Sequence, residues 1–250
     1  MSDDITIDRR GPLAIVTLRR PARRNALGAA SVAALGATLE QLAGDPDCRA
    51  VVLTGAAPGF CAGSDLKELG GLDVPAMCRH EEDTARVARR IGLLPLPVVA
   101  AVEGFALGGG MVLAISCDVV VTARSTRWNL PEVRNGWLPA WGLQALMARV
   151  GPVRARLLTW GVTEMDGAEA LRLGIADALA EDGGALDLAC DLAGRLAALP
   201  ENAVRSTKRY YEPYATADAE RQDAEAIRVF GADALCPPSQ ATMARFAVKA

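Results

Sequence analysis

Two glycine-bearing turns and one proline-flanked glutamate carry the residue types best suited to chemistry in this sequence of 250 residues. The first turn, Gly59-Phe-Cys-Ala-Gly-Ser-Asp-Leu-Lys-Glu68, follows an apolar run that reads as a strand and precedes a short helix. Gly63 permits close backbone approach and Asp65 suits a cap, so the loop can aim the Ser64 N–H at a ligand. The second, Gly104-Phe-Ala-Leu-Gly-Gly-Gly-Met-Val-Leu-Ala114, again reads as strand, glycine turn and helix. It sets the Gly109 N–H at a free helix N-terminus, where unpaired donors and the macrodipole favour negative charge. It lacks the Lys-Ser/Thr of a phosphate loop and the G-x-G-x-x-G spacing of a dinucleotide fold. On the residues alone either turn also reads as a tight crossover. The glutamate is Glu132, in Leu130-Pro131-Glu132-Val133 beside Trp128 and Trp137. A carboxyl in such apolar surroundings has a raised pKa and can shuttle protons at neutral pH; a solvated or capping glutamate after a proline is the plain alternative.

Other chemistries have less to draw on. His80 is the only histidine, which rules out a His-rich metal site, and Ser64 has no evident base to make it a nucleophile. With Glu81, Glu82 and Asp83 beside it, His80 reads as part of a solvated polar helix face, a catalytic histidine being the lesser alternative. Six cysteines are scattered without a C-x-x-C pair and read as free thiols in a reducing cytoplasm. The net charge of −3 gives no basic excess for nucleic acid. Arg9, Arg10, Arg19, Arg20, Arg23 and Arg24 do crowd the N-terminal stretch, as a rim for a phosphorylated ligand or simply a solvated edge. The acidic start is unlike a targeting peptide, and the longest apolar run, residues 93–102, is broken by Pro95 and Pro97, so no membrane span is expected.

The elements that must position these residues alternate. Residues 5–8 and 13–18 read as a hairpin, 27–43 as a helix, 50–54 as a buried strand, 76–93 as a helix and 98–102 as a second buried strand. A helix then starts at 111–117 and a third strand covers 119–122. Alternation of this kind argues for an α/β fold. From about residue 143 the pattern is mostly helical, with segments at 152–161, 166–173, 186–198, 201–211 and 218–231.

Taken together, F-C-A-G-S-D-L-K-E, then V-x-G-x-A-L-G-G-G about 40 residues later, then S-C-D and L-P-E, closely resemble the enoyl-CoA hydratase/isomerase (crotonase) family. Arg23-Arg24-Asn25-Ala26-Leu27 is similar to its early R-N-A-L element, and residues 166–176 to its A-x-x-A-x-x-x-G-L-V stretch, so the resemblance covers most of the chain. It implies a crotonase-like α/β spiral of ββα units over residues 1–195, with a helical C-terminal trimerisation region over 196–250 and a homotrimer or dimer of trimers. It also implies an acyl-CoA thioester as substrate, its carbonyl oxygen between the N–H groups of Ser64 and Gly109, and Glu132 as the catalytic carboxylate. Arg24, Ala62, Asp65, Leu66, Gly108, Trp137, Trp141, Phe246 and Lys249 fall at or beside positions that meet CoA or the acyl group. Phe246 and Lys249 are the weaker matches, since Gln240-Ala-Thr-Met replaces the usual acidic-glycine element. No cofactor is implied beyond CoA itself.

Two departures bear on the reaction. Hydratases of the family generally carry a second glutamate three residues after the oxyanion-hole glycine; here Val112 stands there. A single glutamate suffices for a 1,3-proton shift, which tilts the expectation towards isomerisation or a specialised hydration, dehydration or carbon–carbon reaction. Where Pro-Gly-x-Gly-Gly is common, this chain has Leu138-Pro139-Ala140-Trp141-Gly142. Trp128, Trp137 and Trp141 are three of its four tryptophans, and they read either as an acyl-selecting wall or as core and interface packing. A thioester or carbon–carbon hydrolase on the same scaffold and a non-catalytic acyl-CoA-binding subunit are the alternatives.

Overall fold

The computed structural model describes residues 3–247. The expected hairpin forms from β1 (Ile5–Arg10) and β2 (Leu13–Leu18), followed by α1 (Ala29–Ala43) and β3 (Ala50–Gly55). Next come α2 (Leu66–Leu69), α3 (Val74–Leu93), β4 (Val98–Val102), β5 (Phe105–Leu107) and α4 (Gly109–Ile115). The chain continues through β6 (Val119–Ala123), β7 (Arg127–Asn129), α5 (Glu132–Asn135), α6 (Leu143–Thr159), α7 (Gly167–Leu173) and β8 (Ala178–Ala180). It ends in α8 (Ala185–Ala197), α9 (Glu201–Thr216), α10 (Ala219–Ala234) and α11 (Pro237–Phe246).

The main sheet has the order β1-β2-β3-β4-β6-β8, parallel throughout except for the β1–β2 pair. Its central strands are buried on both faces, which explains their unbroken apolar runs. Val51 and Leu53 face the larger helical core, while Ala50 and Val52 face α8. That helix lays Ala185, Ala189, Ala193 and Ala197 against the sheet; alanine at every fourth position lets helix and sheet approach closely.

A second sheet, which the sequence does not announce, pairs β5 with β7 in parallel. Each strand has three residues, too few for an alternation to show. β4-β5-α4 and β6-β7-α5 are successive β–β–α units, each placing one strand in the main sheet and one in the small sheet. Two other differences have local causes. The segment expected from Pro152 does start there, after a kink at Gly151 (φ 75°), but it is preceded by a helical segment from Leu143 that was not delimited in the sequence. Asp73 caps α3 through the Ala76 N–H at 2.8 Å, and so starts it two residues earlier than expected.

The Asp118 carboxylate accepts from the Val98 N–H at 2.8 Å and from Lys208 Nζ at 2.7 Å, tying α9 to the sheet. Among the described residues no helix is long and apolar enough to cross a membrane.

The start of α4 lies against the Cys61 backbone, and a Cβ on Gly110 would stand 2.2 Å from the Cys61 carbonyl oxygen. Gly110→Ala therefore cannot be accommodated by a side-chain rotation. It should destabilise the protein by about 1–3 kcal/mol, the usual cost of overpacking, read as a lowered urea midpoint at unchanged m-value.

Candidate active site

The two glycine turns meet at the carboxyl ends of β3 and β4, where open α/β sheets place their ligand crevices. The contact is a backbone one. Leu107 N–H donates to the Cys61 carbonyl at 3.0 Å, Cys61 N–H to Phe105 at 3.3 Å, and Gly108 N–H to Asn129 at 2.9 Å. The first loop, β5 and β7 thus become one surface. On it, a Cβ placed on Gly63 would come within 3.0 Å of the Gly109 nitrogen.

This approach brings the two candidate donors together. Ser64 bridges Leu27 in parallel, but the bonds run from Leu27 N–H to the Gly63 carbonyl at 2.8 Å and from Asp65 N–H to the Leu27 carbonyl at 3.0 Å. The Ser64 N–H is skipped by this pairing and points the other way. Gly109 is the first residue of α4, so its N–H has no carbonyl a turn behind it in the helix. Ser64 and Gly109 line a pocket of about 60 Å³ with Ala62, Gly108, Val112 and Glu132.

Glu132 opens α5, and its side chain lies over Gly108: a Cβ there would stand 2.6 Å from Oε1. Gly108 also has φ 54°, so both its backbone and its neighbour demand glycine. The residue as a whole is half-buried, yet Oε2 is sealed from solvent without a hydrogen-bond partner. Burial pushes its pKa up to about 8; its own backbone N–H opposes the rise slightly, and nearby Glu81 adds to it.

That neighbour corrects the reading of residues 80–83 as a solvated face. His80 and Glu81 are both buried on α3, while Glu82 and Asp83 are the exposed pair. Glu81 lines the same pocket as Glu132 and accepts from Trp141 Nε1 at 2.7 Å. A single glutamate is therefore not what the site contains. The signal available in the sequence was position: residue 81 lies four after Met77 and three before Thr84, within the helix's inward arc.

The tryptophans divide. Trp128 belongs to the core, fully buried with Nε1 donating to Thr122 at 3.0 Å. Trp137 and Trp141 line the pocket, Trp137 edge-on to Phe230 from α10. The loop carrying Trp141 is pinned by α10: Asp223 accepts from Gly142 N–H at 2.8 Å and Asp233 from Leu138 N–H at 3.0 Å.

Among the expected CoA contacts, Arg24 and Ala62 are adjacent, Ala62 N–H donating to the Arg24 carbonyl at 3.1 Å. The exposed Arg24 guanidinium sits 5.9 Å from the Phe105 ring centre. Leu66 and Gly108 line the pocket, whereas the Asp65 carboxylate is occupied by Arg20 at 3.0 Å and the Lys67 N–H at 3.1 Å, organising the loop. Arg20 is thus a structural cation, and Arg9 pairs with Asp45, so the N-terminal arginines do not form one ligand rim. Phe246 ends α11, which packs on α2 outside the pocket lining, and Lys249 lies outside the described residues.

The family model described as enoyl-CoA hydratase/isomerase matches residues 8–247. The chain belongs to that family. It is 32% identical to the short-chain-enoyl-CoA hydratase of Clostridium acetobutylicum, over 83% of this chain and 80% of the relative. It is likewise 32% identical to the 2,3-dehydroadipyl-CoA hydratase of Escherichia coli, over 82% and 80%. An enoyl-CoA hydratase/isomerase structure from Mycobacterium paratuberculosis superposes with a TM-score of 0.88 at 27% identity, covering 98% of this chain and 99% of the other. The crotonase-type fold expected from the motifs is the one observed, and the protein is an acyl-CoA enzyme of the enoyl-CoA hydratase/isomerase type.

Within this family scaffold the raised pKa has a stability consequence. An unfolded Glu132 ionises near the ordinary carboxyl value of 4.5 and the folded one near 8, so between these values the native state holds the extra proton. Native stability from this group is present below about 4.5 and falls as pH rises towards 8. Glu132→Gln should therefore gain stability relative to the parent as pH is raised from 5 to 8, measured by urea unfolding at each pH; a gap that stays constant would show that Glu132 ionises normally.

Proposed function

We propose that the protein binds an enoyl-CoA thioester with its carbonyl oxygen between the Ser64 and Gly109 N–H groups, and that Glu132 moves the proton at Cα. The observation that supports this most directly is the Glu132 carboxyl, buried with Oε2 unpartnered in the pocket that those two donors line. Proton movement at Cα turns the thioester into an enolate and loads negative charge onto its oxygen. Two fixed N–H donors in a dry site stabilise that charge without reorganising, and losing one typically costs roughly 3–4 kcal/mol. The chemistry asks only for donors and carboxyl groups, and CoA enters as part of the substrate.

Arg24 and the Ala62 backbone form the proposed entrance for the CoA nucleotide, with Phe246 from the C-terminal end. The small reaction pocket favours a short acyl group. Trp141 stands between it and an apolar chamber of about 720 Å³ bounded by α3, α6 and α9. Residues 196–250 are proposed to assemble the chain as a homotrimer or dimer of trimers; exposed Tyr210, Tyr211 and Tyr214 on α9 support an interface there. A cytoplasmic setting agrees with the six free thiols.

Glu132→Gln should lower exchange of thioester α-protons in D₂O by at least about a hundredfold, the lower end of general acid–base contributions. Undiminished exchange would remove Glu132 from the reaction, and steady release of free CoA by the parent would point to a hydrolase instead. Trp141→Ala opens the chamber to the acyl chain. It should raise the ratio of kcat/KM for eight-carbon over four-carbon enoyl-CoA by at least about tenfold, the scale of a few methylene contacts; an unchanged ratio would mean that Trp141 does not bound the acyl site.

A further inference from the structure

Five carboxylates among the described residues, four of them buried or half-buried and Asp118 partly exposed, sort by their partners into two kinds. Asp65 is paired with Arg20 and the Lys67 N–H, Asp118 with Lys208 and the Val98 N–H, and Asp223 with Arg89 and the Gly142 N–H. Each of these has a cation and a backbone donor, the arrangement that makes a buried carboxylate tolerable. Glu81 and Glu132 have no ion pair among the described residues, and both line the reaction pocket. Glu81 meets the Trp141 indole N–H, the Ser64 hydroxyl and His80 but, among the described residues, no arginine or lysine, so its charge is only partly compensated, and a buried charge so held is costly. The packing of the loop after α5 specifies where the Glu81 carboxylate goes. Trp141 donates to Glu81 from Nε1, and the same indole places Cζ2 within 2.9 Å of where a Cβ on Gly109 would stand. One rigid ring therefore spans from the Glu81 carboxylate to the oxyanion-hole glycine.

The opposite wall is apolar. Val112, on α4, packs against Gly142 so tightly that a Cβ on that glycine would overlap Val112 Cγ1. A carboxylate missing from α4 is thus present on α3, reaching the same pocket from another side. The space between them, about 60 Å³, exceeds the roughly 10–15 Å³ that one water requires.

We propose that Glu81 is the second catalytic residue of the site and makes the reaction a hydration: water adds across the α,β double bond of the enoyl-CoA, with Glu81 taking the water proton and Glu132 supplying the proton at Cα. This rests on the oxyanion-hole reading of Ser64 and Gly109. In the forward direction one water O–H bond breaks and its proton passes to the Glu81 carboxylate. The oxygen forms the new C–O bond at Cβ. The π pair moves into the bond between Cα and the carbonyl carbon, and the carbonyl pair moves onto the oxygen held by the two N–H groups. When the enolate collapses, Cα takes the proton of the Glu132 carboxyl. One water is consumed, and the turnover leaves Glu81 protonated and Glu132 ionised; proton exchange with solvent, one proton leaving Glu81 and one returning to Glu132, restores the pair.

The surroundings assign the two roles. Burial raises the pKa of Glu81, but His80, the Ser64 hydroxyl and the Trp141 N–H all oppose the rise and favour its charged form. Glu132 has only its own backbone N–H to do so, and Glu81 pushes it further up. Glu81 is thereby the better base and Glu132 the better acid.

The test compares two readouts on the full-length protein: incorporation of ¹⁸O from labelled water into the 3-hydroxyacyl product of a four-carbon trans-2-enoyl-CoA, and D₂O exchange at Cα of the saturated four-carbon acyl-CoA, which cannot be hydrated. Glu81→Gln should lower hydration by at least about a hundredfold while α-exchange stays within about threefold of the parent, and Glu81→Asp should recover part of the hydration. Glu132→Gln should lose both. Hydration unaffected in Glu81→Gln, or both readouts lost together in it, would overturn the proposal, the second outcome marking Glu81 as a structural support of the pocket. A parent protein that exchanges α-protons but never incorporates ¹⁸O would also overturn it while leaving the oxyanion-hole reading intact. A parent that does neither would remove that reading itself.

Discussion

The close approach of two backbones, the loop at Gly63 and the helix start at Gly109, is the constraint on which the rest of the site hangs. Backbone hydrogen bonds between Cys61 and the β5 strand hold it, and the Cβ positions at Gly63 and Gly110 leave no room for a larger residue. Because the donors are main-chain groups at glycine-rich turns, the chemistry at the carbonyl oxygen is independent of the side chain at Ser64. The hydroxyl of that serine is free to face Glu81 instead, where it helps to keep the carboxylate charged.

Buried charge is handled in two ways in this protein. The carboxylates of Asp65, Asp118 and Asp223 are neutralised by cations and join segments distant in sequence: the first loop to the N-terminal strands, α9 to the sheet, and α10 to the α3 helix and the Trp141 loop. Those of Glu81 and Glu132 are left without cations in a pocket closed by tryptophan. Such groups oppose folding, and a site that holds them trades stability for reactivity. The paired carboxylates instead join segments of the fold around the pocket. Asp223 is the plainest case, since it fixes Gly142 and thereby the indole that fixes Glu81.

The tryptophans show why composition alone could not separate packing from function. Trp128 and Trp141 are thirteen residues apart and equally buried, yet the first donates to a core threonine and the second to a carboxylate in the pocket. The difference lies in the acceptor each indole meets. For Trp128 that acceptor is six residues away on the preceding strand β6; for Trp141 it is sixty residues away on α3.

The parts of the protein that depend on local chemistry are legible in the amino-acid sequence. Unbroken apolar runs specify strands buried on both faces, glycines specify the two turns, and Pro131-Glu132 after β7 puts one carboxylate beside them. The family motifs carried the fold and the acyl-CoA chemistry. The place of the second carboxylate follows from long-range packing instead. On α3, Glu81 lies among charged neighbours, and a helix of mixed character does not say which of its residues face inward until its partners are in place. Docking of α10 and of the Trp141 loop turns the Glu81 side of that helix into a pocket wall and leaves Glu82 and Asp83 in water. The same holds for β5 and β7, whose three residues each become a sheet only because each finds the other and the Cys61 loop. Hydrogen bonds between segments far apart in the chain leave no periodic trace in either segment, so these contacts exist only once the chain has folded.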